Sequence, residues 1–171
     1  MHMAKRERTP GRVTHVGAPR PAPRSTPMPA DGLPCMCATL RAASRAVTRF
    51  YDERMAGSGL HVTQYTLLRV LAAAGPLEQG RLAGVLHADA TTLSRAVVPL
   101  ERQGLLARQD VPGDARRVRW AITPRGTRTL ERAAPLWERA QADLRARLAR
   151  GEWDVLRGLA TRVAAEVSSD Q

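Results

Sequence analysis

The chain predicts a mainly α-helical fold with a small β-hairpin wing: a winged helix-turn-helix with N- and C-terminal dimerisation helices. Three observations predict it. Residues 79–126 read, in order, as two short helices, an arginine-rich hairpin and a new helix opened by Thr123-Pro124. That is the element order of a module that sets one helix in the DNA major groove and a basic loop beside it. Apolar residues recur at helical spacing on both sides of this stretch. Aromatic residues make up only 4% of the chain, so the core must use Leu, Val and Ala, which suit helices better than sheets.

Each element has its own signal. Residues 1–34 are rich in Pro, Arg, Gly and Thr without apolar periodicity, and read as a disordered basic arm. The domain proper is expected over 35–171. Leu40, Ala43, Val47 and Phe50 form the apolar face of a first helix that ends near Gly57-Ser58-Gly59. Thr63 is placed to cap a second helix with Leu67, Leu68 and Leu71 inward, closed by Gly75-Pro76. Leu82, Val85 and Leu86 mark a short third helix. Asp89 caps a fourth, with Leu93, Ala96, Val97 and Leu100 inward and Gly104 as its stop. Pro99 interrupts that helix and is expected to kink it away from the DNA-contacting turn.

Leu105–Gln109 and Val118–Ile122 flank a Pro-Gly-Asp turn, and the second run alternates Val118, Trp120 and Ile122 with Arg117, Arg119 and Ala121, as a half-buried strand does. Thr123 then caps a long helix with Pro124 in its first position. Along it Leu130, Ala134, Trp137, Gln141, Leu144 and Leu148 form a heptad-like seam for a partner helix, in this chain or another. After Gly151 a last helix shows Leu156, Leu159, Val163 and Val167 on one face. Residues 35–60 and 124–167 are thus expected to dimerise, with a DNA-binding lobe at 63–122. A two-fold dimer would present two reading helices to successive major grooves of a pseudo-palindromic operator in double-stranded DNA.

Charge agrees. The net charge is +11, almost all of it arginine, since Lys5 is the single lysine. Residues 1–34 hold six basic and two acidic side chains, a net of +4, which leaves +7 for the remainder. A polyanionic partner follows. No apolar run approaches the ~18 residues a membrane span needs, and prolines break the basic start where a signal peptide would be apolar; a cytoplasmic protein is expected. The four histidines lack metal-ligand spacing and no phosphate loop or nucleophile elbow occurs, so neither a metal, a cofactor nor an enzymatic activity is expected.

Recognition falls to two places. The outer face of the fourth helix offers Thr91, Thr92, Ser94 and Arg95, small donors and a guanidinium near a helix start, suited to phosphates and base edges. The hairpin tip offers Asp114, Arg116 and Arg117. An arginine there fits a narrow minor groove, and Asp114 would fix the wing by pairing with an arginine.

These residues carry a resemblance. Asp114-x-Arg116, five residues, then Ile122-Thr123-x-x-Gly126 resembles the wing signature of the MarR family, with isoleucine where leucine is usual. Thr92-Leu93-Ser94-Arg95, then Leu100-Glu101 and Gly104-Leu105, is similar to the family's recognition helix and its exit; Leu60, Thr63-Gln64 and Leu67-Leu68 match the segment upstream. The resemblance covers about 40–167. It implies a homodimeric transcriptional regulator, usually a repressor, released by a small phenolic ligand or by oxidation, with Arg116 as minor-groove reader and Asp114 as its organiser. It also implies a ligand pocket between end helices and DNA-binding lobe, where Tyr51, Arg54, His61 and Tyr65 are candidates. Cys35 and Cys37 suggest a thiol sensor instead, at a helix start where the dipole favours a thiolate. The rival reading is a non-specific, nucleoid-type structural protein, which shares the charge but has no need of the wing signature.

Overall fold

The structure, a computed structural model, describes residues 35–111 and 114–168, with the side chains of 111, 114–117 and 168 outside the description. The expected arm at 1–34 lies outside it as well. Helix α1 spans Met36–Met55 and passes through a 3₁₀ turn, Ala56–Ser58, to α2, Val62–Ala74. A two-residue strand β1, Leu77–Glu78, leads into α3, Gln79–Val85, and α4, Ala90–Arg102. Strands β2, Leu106–Val111, and β3, Asp114–Ile122, form the hairpin, and α5, Pro124–Arg145, and α6, Glu152–Ser168, complete the chain.

The core sits where α2, α4 and the sheet meet α5 and the end of α1. Leu67, Leu68, Leu71, Leu82, Leu93 and Leu100 are fully buried there, each stabilising by roughly 1.5–3 kcal/mol relative to exposure. Tyr51 and Met55 are the only buried residues of α1. The face expected to bury from Leu40 to Phe50 is largely uncovered in one chain: Leu40 and Val47 are exposed, and Phe50 is intermediate.

Further expectations need correction. His61, not Thr63, is the N-cap of α2, and its main-chain N–H donates to Gln64 Oε1 at 3.0 Å. Val85 does not join the core, because α3 is only two turns long and its last residue is left in solvent. The hairpin has a third strand: β1 pairs antiparallel with β3, Leu77 opposite Trp120 and Glu78 opposite Arg119, giving the order β1-β3-β2. Two residues carry too short a pattern to announce a strand. Flanked on both sides, β3 also buries Ala121, which strict alternation assigns to the outer row.

The buried residues of α5 are Gly126, Thr129, Ala133 and Ala140, beside the expected seam, whose residues are half-buried and make contacts within this chain. Trp137 stacks on Tyr65 of α2, with ring centroids 5.5 Å apart, and Gln141 Oε1 accepts from the Tyr51 hydroxyl of α1. The helix ends at Arg145, so Leu148 falls outside it. Pro99 lies inside a continuous α4; it removes the donor for the Arg95 carbonyl only one turn before the end, and the helix continues to Arg102.

Two turns frame α4. After α4, Gly104 takes φ +68°, and the N–H groups of Leu105 and Gly104 return to the carbonyls of Leu100 and Glu101 at 2.9 and 2.8 Å, a Schellman stop that favours glycine. Between α3 and α4 the same motif recurs, with Ala88 and His87 N–H bonded to Ala83 and Gly84 carbonyls at 2.9 and 3.1 Å. Here the left-handed position is His87, φ +47°.

Candidate nucleic-acid interface

The first turns of α4 are built around Asp89. Its carboxylate accepts from the Thr92 N–H at 2.7 Å and from the Thr92 hydroxyl at 3.0 Å. Thr92 is therefore tied into the cap as its own N3 donor, while Thr91, Ser94 and Arg95 stand exposed beside it on the outer face. Leu93, Val97 and Leu100 hold the opposite face in the core. The two Thr92 bonds, backbone first, hold the Asp89 carboxyl below its ordinary value of 3.8, and the Arg95 charge adds to the effect.

A group depressed on folding contributes stability above its unfolded pKa and loses it as pH falls through the folded value. Asp89→Asn, which still caps but does not titrate, should therefore separate from wild type. The stability gap between the two is expected to be constant from pH 7 down to about pH 5 and to change only in the acid range. Urea denaturation at a series of pH values measures it, and a gap that varies between about pH 6 and 8 would refute the assignment.

The wing follows from the sheet register. From Leu106 opposite Ile122 to Asp110 opposite Val118 the pairing is regular, but the next β2 residue, Val111, faces Asp114. Ala115, Arg116 and Arg117 fall in the gap, a bulged stretch of the kind that re-aims side chains at a sheet edge. Asp114, Arg116 and Arg117 thus lie at the wing tip in backbone position; their side chains are outside the described residues. Arg119 reaches Glu78 at 3.7 Å and ties β3 to β1. Arg81 of α3, Arg102 of α4 and Arg108 of β2 are also exposed.

Gly126 is the residue that seats the lobe on α5. A Cβ there would lie 2.2 Å from the Leu105 carbonyl oxygen and 2.8 Å from Ile122 Cγ1. That same carbonyl accepts from Thr123 N–H at 3.1 Å, and Thr123 Oγ1 caps α5 by accepting from Gly126 N–H at 3.0 Å. Strand start, hairpin end and helix start meet at one point that only glycine fits.

The candidates at the junction are each engaged. Tyr51 bonds Gln141, and burial pushes its phenol up. Arg54 pairs with Asp143 at 3.1 Å and lies 3.5 Å over the Phe50 ring. His61 Nδ1 is 3.1 Å from Asp52 Oδ2. Tyr65 stacks on Trp137, its phenol raised by burial against the opposing pull of Arg69, whose guanidinium lies 4.6 Å over Trp137. Tyr51, Arg54 and Tyr65 converge on the α1–α2–α5 contact; His61 sits at its edge. Cys35 and Cys37 are both exposed at the far end of α1, where Cys35 Sγ accepts from Ala38 N–H at 3.4 Å. Among the described residues no group of His, Cys, Asp and Glu is placed to hold a metal, and no helix is long and apolar enough to cross a membrane.

Comparison with known proteins agrees with this geometry. Residues 60–118 match the MarR family. A candidate transcriptional regulatory protein for the hcr operon of Thauera aromatica is 34% identical over 99 residues, 58% of this chain and 60% of that protein's length. The M. tuberculosis transcriptional regulator MosR, crystallised in complex with DNA, superposes with a TM-score of 0.72 at 30% identity over 80% of this chain and 98% of its own. The PcaV transcriptional regulator of Streptomyces coelicolor, crystallised with its natural ligand, superposes with a TM-score of 0.67 at 28% identity, over 75% and 91%. With its winged lobe, its capped α4 and these relatives, the chain belongs to the MarR family of DNA-binding transcriptional regulators.

Proposed function

We propose that the protein is a homodimeric, sequence-specific repressor that reads a pseudo-palindromic operator with two copies of the α4-and-wing lobe. The observation that carries the dimer is the uncovered apolar face at the chain ends. On α6, Val155, Leu156, Leu159, Val163 and Val167 are 61, 54, 46, 44 and 63% exposed, and on α1 Met36 and Leu40 are 70 and 43% exposed. No described residue of α6 is buried. Apolar stripes of this length on helices call for a partner, and a second copy supplies a matching one by two-fold symmetry. Thr91, Ser94 and Arg95 then enter the major groove, Thr92 fixes the helix start, and Arg116 and Arg117 follow the minor groove with Asp114 holding the turn.

Light scattering and footprinting test this together. A dimer protecting an inverted repeat with half-site centres about one helical turn apart, bound ~10³-fold or more tighter than random DNA, is the expected result. A monomer, or equal affinity for all sequences, would favour the nucleoid-type alternative.

For release, the Cys35 cap supports thiol oxidation. A hydroperoxide would pass one oxygen to the Cys35 sulfur, leaving an alcohol and a sulfenic acid, and the sulfur would no longer cap α1 as a simple acceptor. Hydroperoxide should weaken operator binding of wild type and leave Cys35→Ser or Cys37→Ser bound; release of both variants equal to that of wild type would discard the sensor. The second reading, a small aromatic ligand, is favoured by the clustered Tyr51, Arg54 and Tyr65, with His61 beside them, and by the ligand-bound relative.

A further inference from the structure

The polar link between α1 and the reading lobe runs through Asp52. Its carboxylate leaves α1 one turn before the end and spans to the start of α2, where Oδ1 accepts from Val62 N–H at 2.7 Å and Oδ2 lies 3.1 Å from His61 Nδ1. Val62 is the first residue of α2, so a donor that every helix leaves unsatisfied is satisfied here by a different helix. The rest of the α2 start is locked locally, by Gln64 on the His61 N–H and by Ser58, whose Oγ accepts from Leu60 N–H at 3.1 Å. Helix α2 in turn carries Leu67, Leu68 and Leu71, which share one core with Leu93 and Val97 of α4 and Trp120 of β3. The angle at which α2 leaves α1 therefore helps set, with the seat on α5, the direction of both α4 and the wing relative to α1.

We infer that Asp52 is a positioning residue for DNA recognition: it fixes the angle between the lobe and α1, and through it the separation of the two reading helices. The inference rests on the dimeric reading above. It concerns geometry between half-sites, not contact with any one of them. Loss of the Asp52 oxygen that accepts from Val62 N–H should then leave each lobe able to bind while blurring the distance between them.

The test uses the full chain, with Asp52→Ala and Asp52→Asn, and measures affinity for an isolated half-site and for inverted repeats lengthened or shortened by one and two base pairs. For Asp52→Ala, half-site affinity should stay within about twofold, whereas affinity for the natural spacing should fall by roughly tenfold, the size of a lost helix cap, with the preference among spacings flattened. Asp52→Asn keeps an oxygen for Val62 N–H and should retain the wild-type preference. Should the alanine variant fail to fold, Asp52→Glu carries the same measurement, with a shifted preference expected. An unchanged spacing preference, a uniform loss on half-site and repeats alike, or asparagine behaving as alanine would each overturn the inference. A monomer by light scattering would instead remove the dimeric reading on which it stands.

Discussion

Gly126→Ala is expected to destabilise the domain by about 2–4 kcal/mol, in the range of substitutions that force backbone apart. Helix propensity alone gives the opposite sign, since alanine inside a helix is favoured over glycine by about 1 kcal/mol. Sterics decide it. The added Cβ would sit 2.2 Å from the Leu105 carbonyl oxygen, a backbone atom that cannot swing aside because Thr123 N–H is bonded to it. Relief requires α5 to move away from the hairpin, which strips the Thr123 cap and opens the core beside Leu105 and Leu106. For a domain of this size the melting temperature should drop by roughly 5–15 °C, read by calorimetry or circular dichroism. Gly158→Ala, on α6 with nothing within 4 Å of the place its Cβ would take, is the control and should hold or raise stability. A Gly126→Ala protein as stable as wild type would remove the close approach from the account.

That glycine also measures what a sequence can say. Gly126 is visible as the last letter of a motif, but its cause, the Leu105 carbonyl far upstream, comes near only after the hairpin has folded back. Local signals are legible where the cause is local. Asp89, Thr123-Pro124 and Gly104 each act within one turn of themselves, and each caps or stops its helix as expected. Thr63 misleads because the start of α2 draws on Asp52 from another helix, a partner that spacing cannot reveal. Strand β1 is invisible for the same reason: Leu77 and Glu78 are strand residues only because Trp120 and Arg119 arrive beside them.

The heptad seam shows the limit of periodicity. Leu130, Trp137, Gln141 and Leu144 announce that α5 is covered, and it is, yet the covering helices are α1 and α2 of the same chain. Period identifies a face, not its owner. The stripe left over is on α6, whose apolar residues stay exposed. At the recognition surface, the residue types are legible in the sequence and their division of labour is not. Thr92 reads as an outer-face residue in sequence, and the fold additionally engages its N–H and its hydroxyl with Asp89, a second task that residue type alone does not announce.

Arg95→Ala is accordingly the substitution expected to cost the most specificity. Arg95 is exposed on the outer face of α4, one turn inside the helix start, where a guanidinium reaches base edges in the major groove. Removing one such bidentate bond costs about 1–3 kcal/mol, or roughly 5- to 150-fold, per half-site, hence about 2–6 kcal/mol for a dimer on its full operator, and relaxes the preference at one base position per half-site. If the guanidinium held a phosphate instead, its removal would weaken all sequences alike and lower the salt slope by about one per site. Ser94→Ala, which removes no charge, should leave the slope unchanged. Arg116→Ala at the bulged wing should weaken binding most on operators with a narrow, A·T-rich flank, where minor-groove potential is most negative. Binding isotherms on operator, on single-base variants and on random duplex, each at several salt concentrations, separate these outcomes. If Arg95→Ala lowered affinity for operator and random DNA by the same factor, the base-reading role would pass from Arg95 to another residue of the α4 face, and the helix start would be left as a phosphate anchor.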